Sequence, residues 1–510
     1  MTDWTDGYVA EVGYVYGYYS ELNPLKARLA LLANGLAAPD IATACELGFG
    51  QGLSINIHAA ALPIRWHGTD FNPSQVGFAR EVAAASTADV ALADEAFADF
   101  AHRQDLPDFD YIGLHGVWSW ISNDNRAVIV DLIRRKLKAG GVLYISYNTL
   151  PGWAGFVPLR HLMIEHVEMM GGKGVGIVDH INSAIDFIDK FLAASPAYLN
   201  AHPQLADRVK TMKGLNRHYL AHEYFNRDWD PMHFSTFTRW LEPARVSFAC
   251  SADYAELHDV LNLTRDQSTF MSTIPAGLLR QSVRDFLVNQ QFRRDYWVKG
   301  PRQLSPLERT ERLRAERVIL VNHRPAVALK VARPPGEITL QPAIYEPILD
   351  VLAPHIPKTL GEIEQALAGK GVNFNALVEA LIVLIGLGHV APAQTVEAAA
   401  VARPRTDRLN AHLLQAARSK GDVAFLASPV TACGVHLSRF QQLFLLALGE
   451  GRRAPSEWAS FAWHFLDLQG ERILKDGKPL ETAEQHLEEL TKEATAFADR
   501  LPILKALQIA

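Results

Sequence analysis

The sequence predicts an α/β fold built on a parallel sheet, and three observations lead there. A short β-branched run, Ile41-Ala-Thr43, feeds a glycine-spaced turn, Glu46-Leu-Gly-Phe-Gly-Gln-Gly52. Strand-like and helix-like stretches then alternate at βαβ spacing through the first 150 residues. The chemically distinctive side chains fall at the carboxyl ends of the strand-like runs, where such sheets bind ligands.

The elements follow in order. Glycines at 48, 50 and 52 let the chain turn tightly and let its backbone approach a ligand, and a helix over 53–61 presents free N–H groups. Residues 64–69 form a short strand ending in Asp70, at the distance from the glycine turn where doubly wound folds grip a ribose. Asn72 caps and Pro73 opens a helix to about residue 85. A weak strand precedes Asp94-Glu-Ala-Phe97, and a stronger one, Phe109–Leu114, ends at His115-Gly-Val-Trp118. The helix over 125–138 places Val128, Leu132 and Leu137 on one face and stops at Gly140-Gly141, and 142–147 is a fifth strand.

Glu46 narrows the ligand. A carboxylate in the turn repels a pyrophosphate but holds a cationic amino-acid group or a sulfonium. The dinucleotide fingerprint G-x-G-x-x-G needs glycine at position 53, where this chain has Leu53. The spacing therefore points to S-adenosylmethionine rather than NAD.

At 510 residues and 48% hydrophobic, the chain can bury a large core in two to four domains. A net charge of −6 gives no electrostatic case for nucleic acid or an anionic membrane. Three widely spaced cysteines suggest neither disulfides nor zinc, and Cys45 reads as a small core residue. Residues 1–6 are acidic without an apolar stretch, so no signal peptide is expected. No apolar run reaches the ~18 residues of a membrane span. A cytoplasmic location is expected.

Three further segments complete a pattern. Glu46-Leu-Gly-Phe-Gly-Gln-Gly52, Phe109-Asp-Tyr-Ile-Gly-Leu-His-Gly-Val-Trp-Ser-Trp120, Tyr147-Asn-Thr-Leu-Pro-Gly-Trp153, Tyr219-Leu-Ala-His-Glu-Tyr-Phe-Asn226 and Gly477-Lys-Pro-Leu480 together resemble bacterial class I methyltransferases that carry a methyltransferase regulatory domain. The resemblance implies a Rossmann-like sheet completed by a terminal strand pair, here 245–250 and 292–298, and S-adenosylmethionine as cofactor. The family includes rickettsial protein-lysine methyltransferases, which implies a protein or other macromolecular acceptor. The chain departs from the usual pattern at Asn23-Pro24, where many members have His-Pro, and at Phe49, where Cys is common.

The expected cofactor contacts are Glu46, Gly48, Gly50, Gly52, Asp70, Phe71, Asp94, Glu95, Phe97, His115 and Trp118. His115, Tyr147 and His222 are the candidate catalytic residues, with Asn148 and Glu223 beside them. Tyr14, Tyr16, Tyr18 and Tyr19 read equally as a lid over a cation or as a packing arm. His218 and His222 sit four apart, but H-Y-L-A-H-E is not the zinc-protease order H-E-x-x-H, so no metal is expected. Lysine on a protein is the favoured acceptor, a polysaccharide or small-molecule hydroxyl the runner-up, and a cofactor-sensing regulatory protein the third reading.

The methyltransferase domain is expected to end near residue 300, with a helical insertion at about 155–240. Residues 300–317, rich in Arg and Glu, read as a connector. Helices at 343–352, 360–368 and 374–387, followed by a β-like tail, resemble a winged helix within a middle domain of 301–400. The third of these helices lacks base-reading side chains and reads as a packing or dimer element. Alanines and prolines around 398–404 suggest a linker to a mostly helical C-terminal domain, 401–510, where Leu487, Leu490, Ala494 and Phe497 share one helical face.

Overall fold

The computed structural model describes residues 7–8, 13–172, 174–333, 336–475 and 477–510. Residues 1–6, read above for a signal peptide, lie outside them. Seven strands build the main sheet: β1 (Thr43–Leu47), β2 (Arg65–Asp70), β3 (Val90–Asp94), β4 (Phe109–Leu114), β5 (Leu137–Asn148), β6 (Val246–Ser251) and β7 (Phe292–Lys299). Their spatial order is 3-2-1-4-5-7-6, and β7 runs antiparallel to both its neighbours. The sheet is thus mixed, with its antiparallel member next to one edge. The chain reverses direction of build between β1 and β4, which puts the ligand crevice at their carboxyl ends.

Five helices flank this half: α1 (Pro24–Ala33), α2 (Leu53–Ala61), α3 (Pro73–Ser86), α4 (Phe97–His102) and α5 (Asn123–Lys136). α3 begins as its sequence dictates, with Pro73 in the first turn and Asn72 Oδ1 accepting the Ser74 N–H at 3.0 Å. Two boundaries move. β1 continues through Leu47, so Glu46 sits in the strand rather than in the turn. α5 ends at Lys136 and passes straight into β5, which leaves Gly140 and Gly141 inside the strand. The reason is local: Leu137 is already buried and pairs in register with Phe109, so no loop residues remain.

Short helices between Leu150 and Tyr224 close around their own apolar cluster, including Trp153, Phe156, Ile185 and Leu220. Beyond residue 300 the expected connector contains a helix, Pro306–Ala315, started by a reciprocal Ser305–Glu308 capping box. A three-stranded antiparallel sheet follows, with Arg317–Leu320 between Lys358–Thr359 and Val390–Ala393. Helices Pro342–Leu352, Leu360–Ala366 and Phe374–Gly386 accompany it. The last of these buries Leu377, Leu381 and Leu384 in one continuous core with Leu29 and Tyr254 of the first 300 residues.

The linker near 398–404 is a correction. Those residues lie in one helix, Val396–Ala416, with Pro404 in its interior. Alanine's helix propensity and burial of Leu409 and Leu413 against Leu53 and Ile57 of α2 outweigh the proline. Residues 401–510 are otherwise mostly helical around two small strand pairs, Phe425–Ala427 with Gly434–His436 and Leu474–Lys475 with Lys478–Pro479, and Leu490, Ala494 and Phe497 are buried as the spacing predicts.

The Phe374–Gly386 helix ends against backbone. A Cβ at Gly386 would lie 2.5 Å from the Ala255 amide nitrogen. Gly386→Ala should therefore cost about 1–3 kcal/mol through overpacking and lower the thermal unfolding midpoint. An unchanged midpoint would contradict this contact.

Candidate active site

A cleft opens at the carboxyl ends of β1, β2 and β4, with about 920 Å³ of empty space counted to its mouth. Gly48, Gly50, Asp70, Phe71, Glu95, Phe97 and His115, all named above as expected cofactor contacts, line it. A smaller cavity of about 310 Å³ adjoins it, sharing Tyr14, Gly48, Gly50 and His115 and adding Glu46 and Tyr19.

The strand register makes room for Glu46. Its partners on β2 and β4 are Gly68 and Gly113, so no side chain stands beside it in either neighbouring strand. Glu46 is 3% exposed, and its Oε2 has no hydrogen-bond partner. A buried carboxylate oxygen left unmatched is costly unless a donor or cation meets it. Gly48 follows at φ +68°, and a Cβ there would come within 2.6 Å of Val117, so only glycine leaves the cradle open. Gly52 plays a different part: its would-be Cβ meets Ala79 at 2.6 Å, which makes it a packing glycine between α2 and α3 outside the cavity wall.

Asp70 ends β2 and ties the turn down. Its Oδ2 accepts the Gly50 N–H at 2.8 Å and its Oδ1 the Asn72 N–H at 3.0 Å. Burial outweighs those bonds and pushes its carboxyl up to about 6. Burial, with help from Asp70, pushes Glu46 up to about 8. These carboxylates suit a cationic ligand with hydroxyl groups, the donor set of S-adenosylmethionine's amino-acid and ribose parts.

His115 lies between two rings. It stacks on Tyr19 at 3.6 Å between centroids, and its Nδ1 shares a 2.7 Å hydrogen bond with the Tyr144 hydroxyl. Burial lowers its pKa to about 4, so the imidazole is neutral at physiological pH. At the opposite rim His222 is buried against Tyr8 and Tyr14, with ring centroids 5.5 and 4.9 Å away. Glu223 is half-buried on the same helix, Arg217–Tyr224, and burial raises its carboxyl to about 7. Its charge helps to keep the hydroxyls of Tyr8, Tyr14 and Tyr19 protonated.

Besides Gly52, four expected residues are not brought to the cleft. Trp118 is fully buried beneath it, packed on Phe237 and Trp240; the following turn presents Trp120 to the cavity instead. Tyr147 is 1% exposed, stacked on Phe237 at 3.8 Å and donating to Asp295. Asn148 is buried on the β5 edge, where its N–H donates to Ser119. Asp94 is exposed, whereas Glu95 lines the cleft and pairs with Arg103 at 3.1 Å. The four tyrosines divide: Tyr14 and Tyr19 wall the cavities, Tyr16 packs on Phe78 and Tyr18 on Phe425. Tyr8, Gln75 and Val117 also line the cleft; no local pattern marks them in the sequence. Among the described residues no three His, Cys, Asp or Glu side chains gather as a metal site.

Residues 45–145 match the family model for a methyltransferase domain, and 216–299 match that of a predicted methyltransferase regulatory domain. An uncharacterized protein of Synechocystis sp. is 39% identical over 99% of both chains. An uncharacterized protein of Rickettsia prowazekii is 28% identical over 42% of this chain and 85% of its own. PKMT2 from Rickettsia typhi, solved in complex with AdoHcy, shares the fold across 96% of this chain and 99% of its own, with a TM-score of 0.68 at 18% identity. The chain belongs to the class I S-adenosylmethionine-dependent methyltransferases that carry this regulatory domain. It is an enzyme of that class, and S-adenosylmethionine is its cofactor.

Two outcomes follow. An ordinary glutamate titrates near 4.5, so raising Glu46 to about 8 means the ligand-free fold loses stability as pH rises between those values. Glu46→Gln should raise the ligand-free melting temperature at pH 8, give no gain near pH 4.5, and weaken cofactor binding; equal effects at both pH values would contradict this. Asp70→Ala should lose ~1.5–3 kcal/mol of cofactor binding, roughly ten- to hundredfold, by calorimetric titration. Unchanged affinity in a folded variant would remove Asp70 from the site.

Proposed function

We propose that this enzyme methylates lysine side chains of a protein, with the acceptor amine entering along the tyrosine rim. The carrying observation is that Glu223, a half-buried carboxyl raised to about 7, shares a short helix with His222, whose ring packs on Tyr8 and Tyr14 of the rim. Aromatic faces attract alkylammonium groups. Bound in the cleft, S-adenosylmethionine supplies an electrophilic methyl group.

A lysine titrates near ~10.4 and arrives protonated, so it must lose a proton before it can attack. Glu223 is matched to that task near neutral pH. Glu46 would hold the cofactor's ammonium and Asp70 its ribose hydroxyls, while Phe71, Phe97 and Glu95 would receive the adenine. His115, neutral and stacked on Tyr19, positions that ring. His222 holds Tyr8 and Tyr14, a supporting part rather than a proton-transfer one. The family resemblance, and PKMT2's likeness in fold, support the lysine reading over a glycan or small-molecule hydroxyl.

The sheet and helices of residues 317–393 suit a winged-helix-like protein-contact module rather than a nucleic-acid reader, because the Phe374–Gly386 helix is apolar and largely buried. Homodimerisation and a cytoplasmic site of action belong to the same proposal. No helix among the described residues is long and apolar enough to cross a membrane.

The test is transfer of labelled methyl from S-adenosylmethionine into fractionated cell proteins, then hydrolysis. Methyl-lysine is the expected product; label confined to glycan or small molecules would overturn lysine. Transfer should rise with pH through about 7 as Glu223 ionises. Glu223→Gln should flatten that rise and cut the rate by roughly tenfold or more, the low end for a proton-transfer residue or below. A full rise in the variant would contradict the assignment.

A further inference from the structure

Residues 13–23 run between the main sheet and the C-terminal unit, and what fixes them lies outside the cleft. Tyr14 and Tyr19 face the cavities, but Tyr18 turns away into the C-terminal hairpin. Its ring packs on Phe425 at 5.4 Å, and Gly434 lies so close that a Cβ there would stand 2.8 Å from it. The Tyr18 hydroxyl shares a 3.1 Å hydrogen bond with His58 Nε2, whose imidazole burial keeps neutral. Five residues on, Asn23 is fully buried and uses both ends of its amide. Its Oδ1 caps α1 by accepting the Leu25 N–H at 2.8 Å, while its NH₂ group donates to the Thr431 and Ala432 carbonyls at 3.1 Å each and to Cys433 Sγ. Between these anchors the Tyr19 N–H donates to Ser54 Oγ of α2 at 2.9 Å.

We propose that the 425–436 hairpin of the C-terminal unit latches this segment across the cofactor end of the cleft, with Tyr18 and Asn23 as positioning residues for Tyr14 and Tyr19. The unit thereby completes a pocket to which it lends no lining side chain among the described residues. Asparagine fits the post because it supplies an acceptor to the helix and donors to the hairpin at once. The latch rests on the cofactor site assigned above and is independent of the acceptor.

Two readouts on the full-length protein test it: calorimetric affinity for S-adenosylhomocysteine, and chymotryptic cleavage within residues 13–19 in its absence. Asn23→Ala should weaken affinity tenfold or more and open the segment to cleavage. Tyr18→Phe, which keeps the packing, should stay near wild type in cleavage. Arg405→Ala is the control, because Arg405 anchors the same unit to the Ala60 and Leu62 carbonyls away from the segment, and both readouts should hold. If Asn23→Ala does not fold, Gly434→Ala carries the test by pressing on Tyr18 without removing a hydrogen bond. Unchanged affinity and cleavage in the folded variant overturn the latch, as does an equal loss in Arg405→Ala. Wild-type protein that fails to bind overturns the cofactor site itself.

Discussion

One buried carboxylate organises the functional half of this molecule. Glu46 ends up on β1, an interior strand of the sheet, with glycine beside it on both neighbours and one of its oxygens unmatched. Such a group is expensive to bury, and a cation held in the cavity it lines, as proposed, would offset that cost. The glycine turn, the crowding of Val117 on Gly48 and the anchoring of Gly50 by Asp70 all serve to keep that opening empty of protein atoms. Ligand-free, the site stores an electrostatic penalty that grows with pH; occupied, the same charge becomes binding energy.

The rest of the chain supports the rim of that opening. The regulatory-domain segment brings His222 to Tyr8 and Tyr14, although it lies about 170 residues downstream of the glycine turn, on the order of a whole domain. The C-terminal unit reaches the same tyrosines from behind through Tyr18 and Asn23. Apolar cores run continuously across what composition alone would divide: Leu53 and Ile57 share a cluster with Leu409 and Leu413, and Leu29 shares one with Leu381. The units therefore act as one packed body around the cleft.

Local chemistry was legible in the sequence where it is decided locally. The cap and proline of α3, the β4 strand and the glycine cradle all depend on residues within a few positions of one another. Trp118 and Tyr147 look like strand-end site residues, but Phe237, a hundred positions on, covers both. Tyr147 is held in the ladder opposite Arg293 because β5 runs on to Asn148, one residue past the apolar run. The Ala398–Pro404 stretch has a linker's composition, yet α2 and α3 supply the surface that keeps it helical. Glu223 stood beside His222 among the candidates, but the burial that raises its pKa belongs to the folded chain and leaves no local pattern. Asn23, marked in the sequence as a departure from the family's usual His, gains its meaning from carbonyls four hundred residues away.

The central claim is that Glu46 waits protonated for a cation. With its carboxyl at about 8, most of the ligand-free molecules carry that proton at pH 7, and an ammonium placed beside it expels it. Calorimetry of S-adenosylmethionine binding at pH 7, repeated in buffers of different ionisation enthalpy, counts the protons released. Release of close to one proton per site, abolished in Glu46→Gln, is the expected result. Binding of equal strength with no proton released in the wild-type protein would contradict it.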